Sequence, residues 1–476
     1  MSYKRVGLLL GPTLFLLIHI FFNGENLSPQ GRDILAATVW IGVWWVLEVL
    51  PIAATALLPI VLFPMLGALG LGETTASYGH KYVFLYMGGF MLAMAIEKWN
   101  LHKRIALHII RSIGTNMYTI VLGFMVATAF LSMWISNTAT AVMVMPMAIS
   151  IVKQLKDNPQ TAKDENAIFG KLLMLSIAYS ASIGGIATLI GTPPNLVFAG
   201  FVEEAYGVDI GFWQWMKFGL PVSALLLILA WLYLTRIAYP LRQGTFPGGK
   251  EEIRRLIQEL GPMKREEKIV LAVFVLTAFC WITRSFLLQR IVPGMDDTII
   301  AIGAAIVLFM LPAGKGRKMI EWEEAVRIPW GIILLFGGGM AIARGFETSG
   351  LAIYLGSQMT FFEGLPLLAL ILLIITCINF LTEVTSNLAT TAMMLPVLAP
   401  LAVTLDVDPF VLMVACTTAA SCAFMLPVAT PPNAVVFGSG YLRIPDMVRT
   451  GFLMNLVSIL VLGVAVYFLL PLFWEK

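Results

Sequence analysis

The stretch Ser132-Met133-Trp134-Ile135-Ser136-Asn137-Thr138-Ala139-Thr140 restricts this chain more than any other. It stands between two apolar runs, Met117 to Leu131 and Ala139 to Val152. A helix needs about 20 residues to cross the hydrocarbon core of a bilayer, and each run is shorter than that. Two half-length apolar arms joined by a Ser-Asn-Thr tip predict a re-entrant hairpin with its tip at membrane depth. Non-helical backbone persists there only when it is buried in protein or lines a water-filled cavity. The pattern returns at Thr382-Glu383-Val384-Thr385-Ser386-Asn387-Leu388-Ala389-Thr390, 250 residues later (386 − 136). The expectation is a duplicated membrane protein with one polar site made from both copies.

Composition agrees with a bilayer setting. The 476 residues are 59% hydrophobic and 12% charged, with a mean hydropathy of +0.86. A soluble domain carries about 25% charged residues, so an all-α polytopic membrane protein is predicted, with the lipid bilayer as its main surroundings and no nucleic-acid partner. Cys280, Cys377, Cys416 and Cys422 all lie in apolar runs without disulfide or metal spacing and read as small buried side chains. No HExxH, CxxC or P-loop occurs. The start, MSYKRVGLLLGPTLFLLIHIFF, has a charged head and an apolar run but no clear small-residue cleavage site, and reads as a retained first span.

Basic residues orient the chain. Lys4 and Arg5 place the N-terminus in the cytoplasm by the positive-inside rule. Residues 6 to 22, 34 to 50, 52 to 70 and 82 to 97 read as spans, with Pro51 at a turn. Glu97 to Arg111 is basic and amphipathic and is expected to lie on the inner interface. The first hairpin follows, then a polar loop from Lys153 to Asn166. Residues 169 to 202 are too long for one straight span and are interrupted at Gly184-Gly185 and at Gly191-Thr192-Pro193-Pro194-Asn195, which predicts a broken helix. It leads to an acidic outer loop with Glu203, Glu204 and Asp209, and residues 216 to 235 return inward. Residues 236 to 268, the most charged segment, are expected to be a cytoplasmic linker.

The second half repeats this plan from the opposite side of the membrane. Its spans are 269 to 288, 298 to 312 and 329 to 342, followed by a segment 343 to 360 that corresponds to the interfacial helix. A hairpin over about 364 to 403 and a broken helix over 409 to 441 come next. That helix is interrupted at Ala429-Thr430-Pro431-Pro432-Asn433, 238 residues after its counterpart (431 − 193). A last span over about 451 to 472 ends outside. The total is about 11 spans and two re-entrant hairpins in inverted repeats, the architecture of secondary transporters.

Broken helices at membrane depth offer two kinds of ligand. A half-helix C-terminus leaves carbonyls free for a small hard cation, and a half-helix N-terminus presents N–H groups and a positive dipole end to an anion. Ser132 and Ser136 share a helix face, and Thr382 and Ser386 repeat their spacing. Pro193 and Pro194 cannot donate hydrogen bonds, so carbonyls a turn earlier lose partners. A lone Ser or Thr in a membrane helix usually bonds its own i−4 carbonyl, and a Gly pair usually serves helix packing; two repeated motif pairs are harder to dismiss. Glu383 is a functional candidate by position and equally a structural cap. Glu48 and Glu97 read as interfacial.

On Ser136-Asn137-Thr138, Ser386-Asn387-Leu388, Gly191-Thr192-Pro193-Pro194-Asn195 and Ala429-Thr430-Pro431-Pro432-Asn433, nearly the whole chain resembles the divalent-anion/sodium symporters, the INDY-like di- and tricarboxylate transporters. The resemblance implies a homodimer with scaffold and transport domains and elevator motion. Residues 1–115 and 269–362 would be scaffold, 116–235 and 363–476 transport. It implies one Na⁺ among Ser132, Ser136, Asn137 and Gly191, and a second among Thr382, Thr385, Asn387 and Ala429. Substrate carboxylates would lie between Asn137, Thr138, Thr192 and Pro193 on one side and Ser386, Asn387, Thr430 and Pro431 on the other. One departure stands out: the family's second motif often ends in Thr, and here that position is Leu388, which cannot donate to a carboxylate.

The expected function is Na⁺-coupled uptake of a C4-dicarboxylate such as succinate, malate or fumarate across a bacterial inner membrane, with Na⁺ as coupling ion and no enzymatic activity. Rivals are a Na⁺-independent dicarboxylate exchanger and a citrate or sulfate carrier. An intramembrane hydrolase would need a base, and none of His19, His80, His102 or His108 falls in a hairpin or a broken helix.

Overall fold

The computed structural model describes residues 3–114, 116–156, 163–241, 249–314 and 316–474. Among these there are helices and loops and no β-strand, only an isolated bridge between Pro312 and Lys318. Seven helices among the described residues are long and apolar enough to cross a membrane, and four shorter apolar helices and an interrupted one, Ile52–Met65, accompany them. Large apolar side chains such as Leu9, Leu276 and Leu460 stay more than 60% exposed, as a lipid-facing surface requires.

Both hairpins form. The first has arms Met117–Ser132 and Asn137–Lys156, the second Leu367–Thr382 and Asn387–Thr404, with four residues at each tip. The first arm of each is short as expected, but the second arms are among the seven helices long and apolar enough to cross a membrane, so the expectation of two half-length arms holds for one arm of each pair. The first arm starts at a reciprocal cap: Asn116 Oδ1 accepts from the Thr119 N–H (2.8 Å) and Thr119 Oγ1 accepts from the Asn116 N–H (3.1 Å). Both broken helices form as well. Lys163–Gly185 stops before Pro193–Tyr206, and Pro409–Ala420 stops before Pro431–Phe437. In each, two prolines sit in the first turn of the second half, where missing N–H groups cost nothing.

The repeats interlock rather than stand side by side. Pro431–Phe437 packs on Asn137–Lys156 and Lys163–Gly185, while Pro193–Tyr206 packs on Asn387–Thr404 and Pro409–Ala420. Each break is backed by a glycine of the following span. A β-carbon at Gly219 would stand 2.6 Å from Ile186 O, and one at Gly451, 232 residues later (451 − 219), would overlap Phe424 O.

Several expectations change. Residues 52–70 are not one span: Ile52–Thr55 and Leu58–Met65 are short separate helices, because Pro51, Pro59 and Pro64 each remove a donor. The charged linker holds an amphipathic helix, Gly249–Leu260, and the next helix begins at Arg265, inside the expected linker. Residues 242–248, and 157–162 of the expected 153–166 loop, lie outside the described residues. The helix before the second interfacial segment runs on from Trp330 to Thr348, leaving only Leu351–Gln358 for that segment. Cys416 and Cys422 are buried, but Cys377 is exposed and Cys280 partly so, since apolar side chains in a bilayer need no protein cover.

Candidate functional site

The two tips and the two breaks meet around one cavity of about 600 Å³. All eight residues expected to hold substrate line it: Asn137, Thr138, Thr192 and Pro193 from the first repeat, and Ser386, Asn387, Thr430 and Pro431 from the second. Four helices start at this wall, at Asn137, Pro193, Asn387 and Pro431. Their positive dipole ends converge on the same space, and the two that start at Asn137 and Asn387, free of prolines in the first turn, also keep first-turn N–H groups, a setting for an anion. Two hydroxyls there cap their own helices: Ser136 Oγ accepts from the Ala139 N–H and Thr430 Oγ1 from the Asn433 N–H, both at 3.3 Å. Ser386 and Thr192 stand at the matching N-caps without a side-chain cap bond, which leaves their hydroxyls for a ligand.

Behind each tip lies a knot of oxygens. Ser132, fully buried, donates to Ala181 O (2.7 Å), and its Oγ is 2.5 Å from Asn137 Oδ1. The Asn137 amide can meet its neighbours in two ways. With nitrogen inward it donates to Gly191 O (3.1 Å), Ala181 O (3.1 Å) and Ser132 Oγ (2.5 Å). With oxygen inward, the same four atoms are an oxygen cage suited to a small hard cation. The second repeat reproduces the knot. Thr382 Oγ1 donates to Asn387 Oδ1 (2.7 Å) and to Ala420 O (3.2 Å). Ser132 and Thr382 therefore sit behind the cavity wall, whereas Ser136, Gly191, Thr385 and Ala429 line it. The Thr385 hydroxyl is engaged by Leu381 O (2.9 Å) and Thr390 Oγ1 (2.6 Å), so its backbone carbonyl is what it can offer a cation.

Sequence reasoning missed the carbonyls of Ala181 and Ala420, because every residue has a carbonyl and nothing in the sequence marks these two. It also gave no role to the last residue of each Thr-Pro-Pro-Asn motif. Asn195 Nδ2 donates to Thr188 O (2.7 Å) and Gly185 O (3.2 Å), and Asn433 Nδ2 to Leu426 O (3.0 Å) and Ala423 O (3.2 Å). Each amide ties together the free carbonyls of its own break.

Glu383 takes the structural role. Its Oε1 accepts from the N–H groups of Phe424 (2.8 Å) and Met425 (3.0 Å) and from Asn455 Nδ2 (2.7 Å); its Oε2 accepts from Met425 (3.1 Å) and Leu426 (3.0 Å). The first repeat has Met133 at this position and holds its break differently. There Ile186 O accepts from Trp215 Nε1 (2.8 Å) and Ile183 O from Ser223 Oγ (2.8 Å). The cavity is also one-sided. Val384 and Val428 are 61% and 79% exposed, while the matching Trp134 packs against Phe274 (5.1 Å) and Phe212 (5.8 Å). Leu388 lines the cavity yet is only 5% exposed. Glu48, expected at an interface, lines the cavity too, together with Val46, Leu47, Ile52 and Ala53 and with Pro329, Gly331 and Ile332.

Residues 4–474 match the sodium:sulfate symporter transmembrane region. The chain belongs to the sodium:sulfate symporter family. It is a multi-pass membrane protein of that family, as the motif resemblance implied. A sodium-dependent dicarboxylate transporter of Staphylococcus saprophyticus is 47% identical over 475 residues, covering 98% of this chain and 92% of the relative. Its counterpart in Staphylococcus aureus is 45% identical over 476 residues with the same coverage. Among solved structures, the YdaH transporter of Alcanivorax borkumensis superposes with a TM-score of 0.62 at 16% identity, over 92% of this chain and 99% of that one. MtrF of Neisseria gonorrhoeae gives 0.59 at 13% identity, over 98% and 95%. At such identities these two speak for the fold alone.

Proposed function

We propose that this protein is a secondary transporter that couples Na⁺ to uptake of a C4-dicarboxylate such as succinate, malate or fumarate. The observation that carries the reading is the pairing of two oxygen knots, Ser132–Asn137–Ala181 and Thr382–Asn387–Ala420, with one cavity onto which four helix N-termini open. The staphylococcal sodium-dependent dicarboxylate transporters, alike over nearly the whole chain, support it. Asn137 and Asn387 each belong to a cation knot and to the anion wall. Binding of either ion then orients the amide that the other uses, and this linkage is reciprocal. Two carboxylates of one substrate would face the two Ser-Asn tips, with the Ser386 and Thr192 hydroxyls donating.

The access side follows from charge. With the N-terminus cytoplasmic, the open flank at Val384 and Val428 faces the cytoplasm, an inward-open state in which a low internal Na⁺ level releases both ions. The opposite flank is laced by ion pairs. Lys81 meets Glu203 (2.6 Å) and Asp209 (2.9 Å), Arg284 meets Asp209 (2.8 Å), and Arg344 meets Glu204 (3.1 Å). These bridge residues 116–235 to residues 1–115 and 269–362, the mobile and fixed parts of an elevator in a homodimer. Radiolabelled succinate uptake into proteoliposomes under inward Na⁺ or K⁺ gradients tests the reading, with citrate and sulfate as competitors. Equal uptake in both gradients would refute symport, and uptake only into succinate-loaded vesicles would make the protein an exchanger.

A further inference from the structure

Among the described side chains that line the cavity, one carries a charge, and it is acidic: Glu48. It stands just past the helix Pro29–Val46 and belongs to neither a Ser-Asn tip nor a Thr-Pro-Pro-Asn break. Glu48 is exposed and makes no hydrogen bond or ion pair with any described residue. Its backbone is left-handed, with φ 44°, a region that a long L side chain rarely enters. A free acid held in a strained conformation on the wall of an anion cavity asks for a reason.

We propose that Glu48 enforces coupling: its carboxylate repels a dicarboxylate from the cavity unless Na⁺ sits beside it. The inference rests on the transport reading above and deepens it. Helix N-termini and hydroxyls alone attract a dianion whether or not Na⁺ is present, and an anion that binds without Na⁺ can cross without it. A fixed negative charge in the same water-filled space raises the cost of the bare dianion. Cations in the two knots offset that charge, so the loaded cavity tolerates what the Na⁺-free cavity rejects. Specificity for the coupled state thus comes from a repulsive element as well as from the attractive ones.

The test uses the full-length protein, as wild type, Glu48→Gln and Glu48→Asp, purified for [¹⁴C]succinate binding and reconstituted for uptake, each with Na⁺ or with choline alone. Glu48→Gln should bind succinate in Na⁺-free buffer about tenfold more tightly than wild type and admit succinate without a Na⁺ gradient. Glu48→Asp, which keeps the charge, should restore strict Na⁺ dependence. Unchanged Na⁺-free binding by Glu48→Gln overturns the inference. So does a variant whose sole change is weaker activation by Na⁺, which would make Glu48 a cation-recruiting group. Loss of uptake in both variants with monodisperse protein overturns it in favour of a structural role. Absence of Na⁺-dependent succinate uptake in wild type overturns the transport reading itself, a result distinct from any difference between the variants.

Discussion

Glu383→Gln separates a carboxylate that supports the second break from one that merely lies near it. The native group accepts from the N–H groups of Phe424, Met425 and Leu426 and from Asn455. A glutamine of the same shape keeps one oxygen and replaces the other with NH₂. If the oxygen keeps the place of Oε1, the new NH₂ group faces the Leu426 N–H, whose acceptor is gone. Two donors are then left unpaired in the interior, each costing about 1–3 kcal/mol, so about 4 kcal/mol is expected in total. The damage is local as well as global, because the freed segment carries Ala429, Thr430 and Pro431 at the cavity wall. Thermal unfolding in detergent should shift down by several degrees, and succinate uptake should fall with it. Met133→Leu, at the matching position of the first repeat, exchanges apolar side chains of similar volume and should cost less than about 1.5 kcal/mol. A Glu383→Gln protein with wild-type melting and wild-type uptake would refute the bracing role.

Ser132→Ala and Thr382→Val each remove one hydroxyl from an oxygen knot and should raise the Na⁺ concentration for half-maximal uptake about tenfold, a loss of about 1.4 kcal/mol; a Na⁺ titration of uptake reads this directly. Asn195→Ala and Asn433→Ala each release the carbonyls of one break. Each should cost about 2–3 kcal/mol in thermal stability and reduce succinate affinity, and binding by either variant as tight as wild type's would show that the breaks hold without them. Stability should also depend on pH through His102, on the interfacial helix Leu101–Ile113. Burial, followed by the weaker opposing bond to Ile96 O, pushes its pKa from 6.5 down to about 4. The ring is kept neutral in the folded state, so its contribution is complete above pH 6.5 and is lost as the pH falls toward 4, by about 3 kcal/mol. Melting curves across that window should slope down on acidification for wild type and flatten for His102→Leu. Glu252, held low by its bond to Arg255, adds a loss in the same direction only below its ordinary value of 4.5.

The elements of the site were legible because local chemistry writes them. A polar Ser-Asn tip cannot cross a bilayer inside a half-length apolar run, and paired prolines cannot continue a helix. Hence the two Ser-Asn tips and the two Thr-Pro-Pro-Asn breaks could be placed from spacing alone; the resemblance to the di- and tricarboxylate symporters implied a binding role for Asn137, Thr192, Asn387 and Thr430 within them, and all four line one cavity. The same rules overreached between 52 and 70, where an apolar run read as a span holds two short helices. Hydropathy counts apolar residues, whereas prolines decide whether they form one continuous helix.

Sequence alone determined that this chain crosses membranes, that its two halves repeat, and which polar residues form the tips and breaks. Only the tertiary structure decided which carbonyls complete the oxygen knots, which partners Glu383 has, and that Glu48 lines the cavity. A backbone carbonyl is the same group at all 476 positions. Packing chooses Ala181 and Ala420 by leaving them beside Ser132 and Thr382. Glu383 finds its donors 41 to 72 residues away, a separation that no local rule of periodicity or capping spans. Charge obeys the same limit, for an acid's role depends on what the fold sets beside it. Glu48 stands in the space shared by both repeats, so its effect depends on how the two halves interlock.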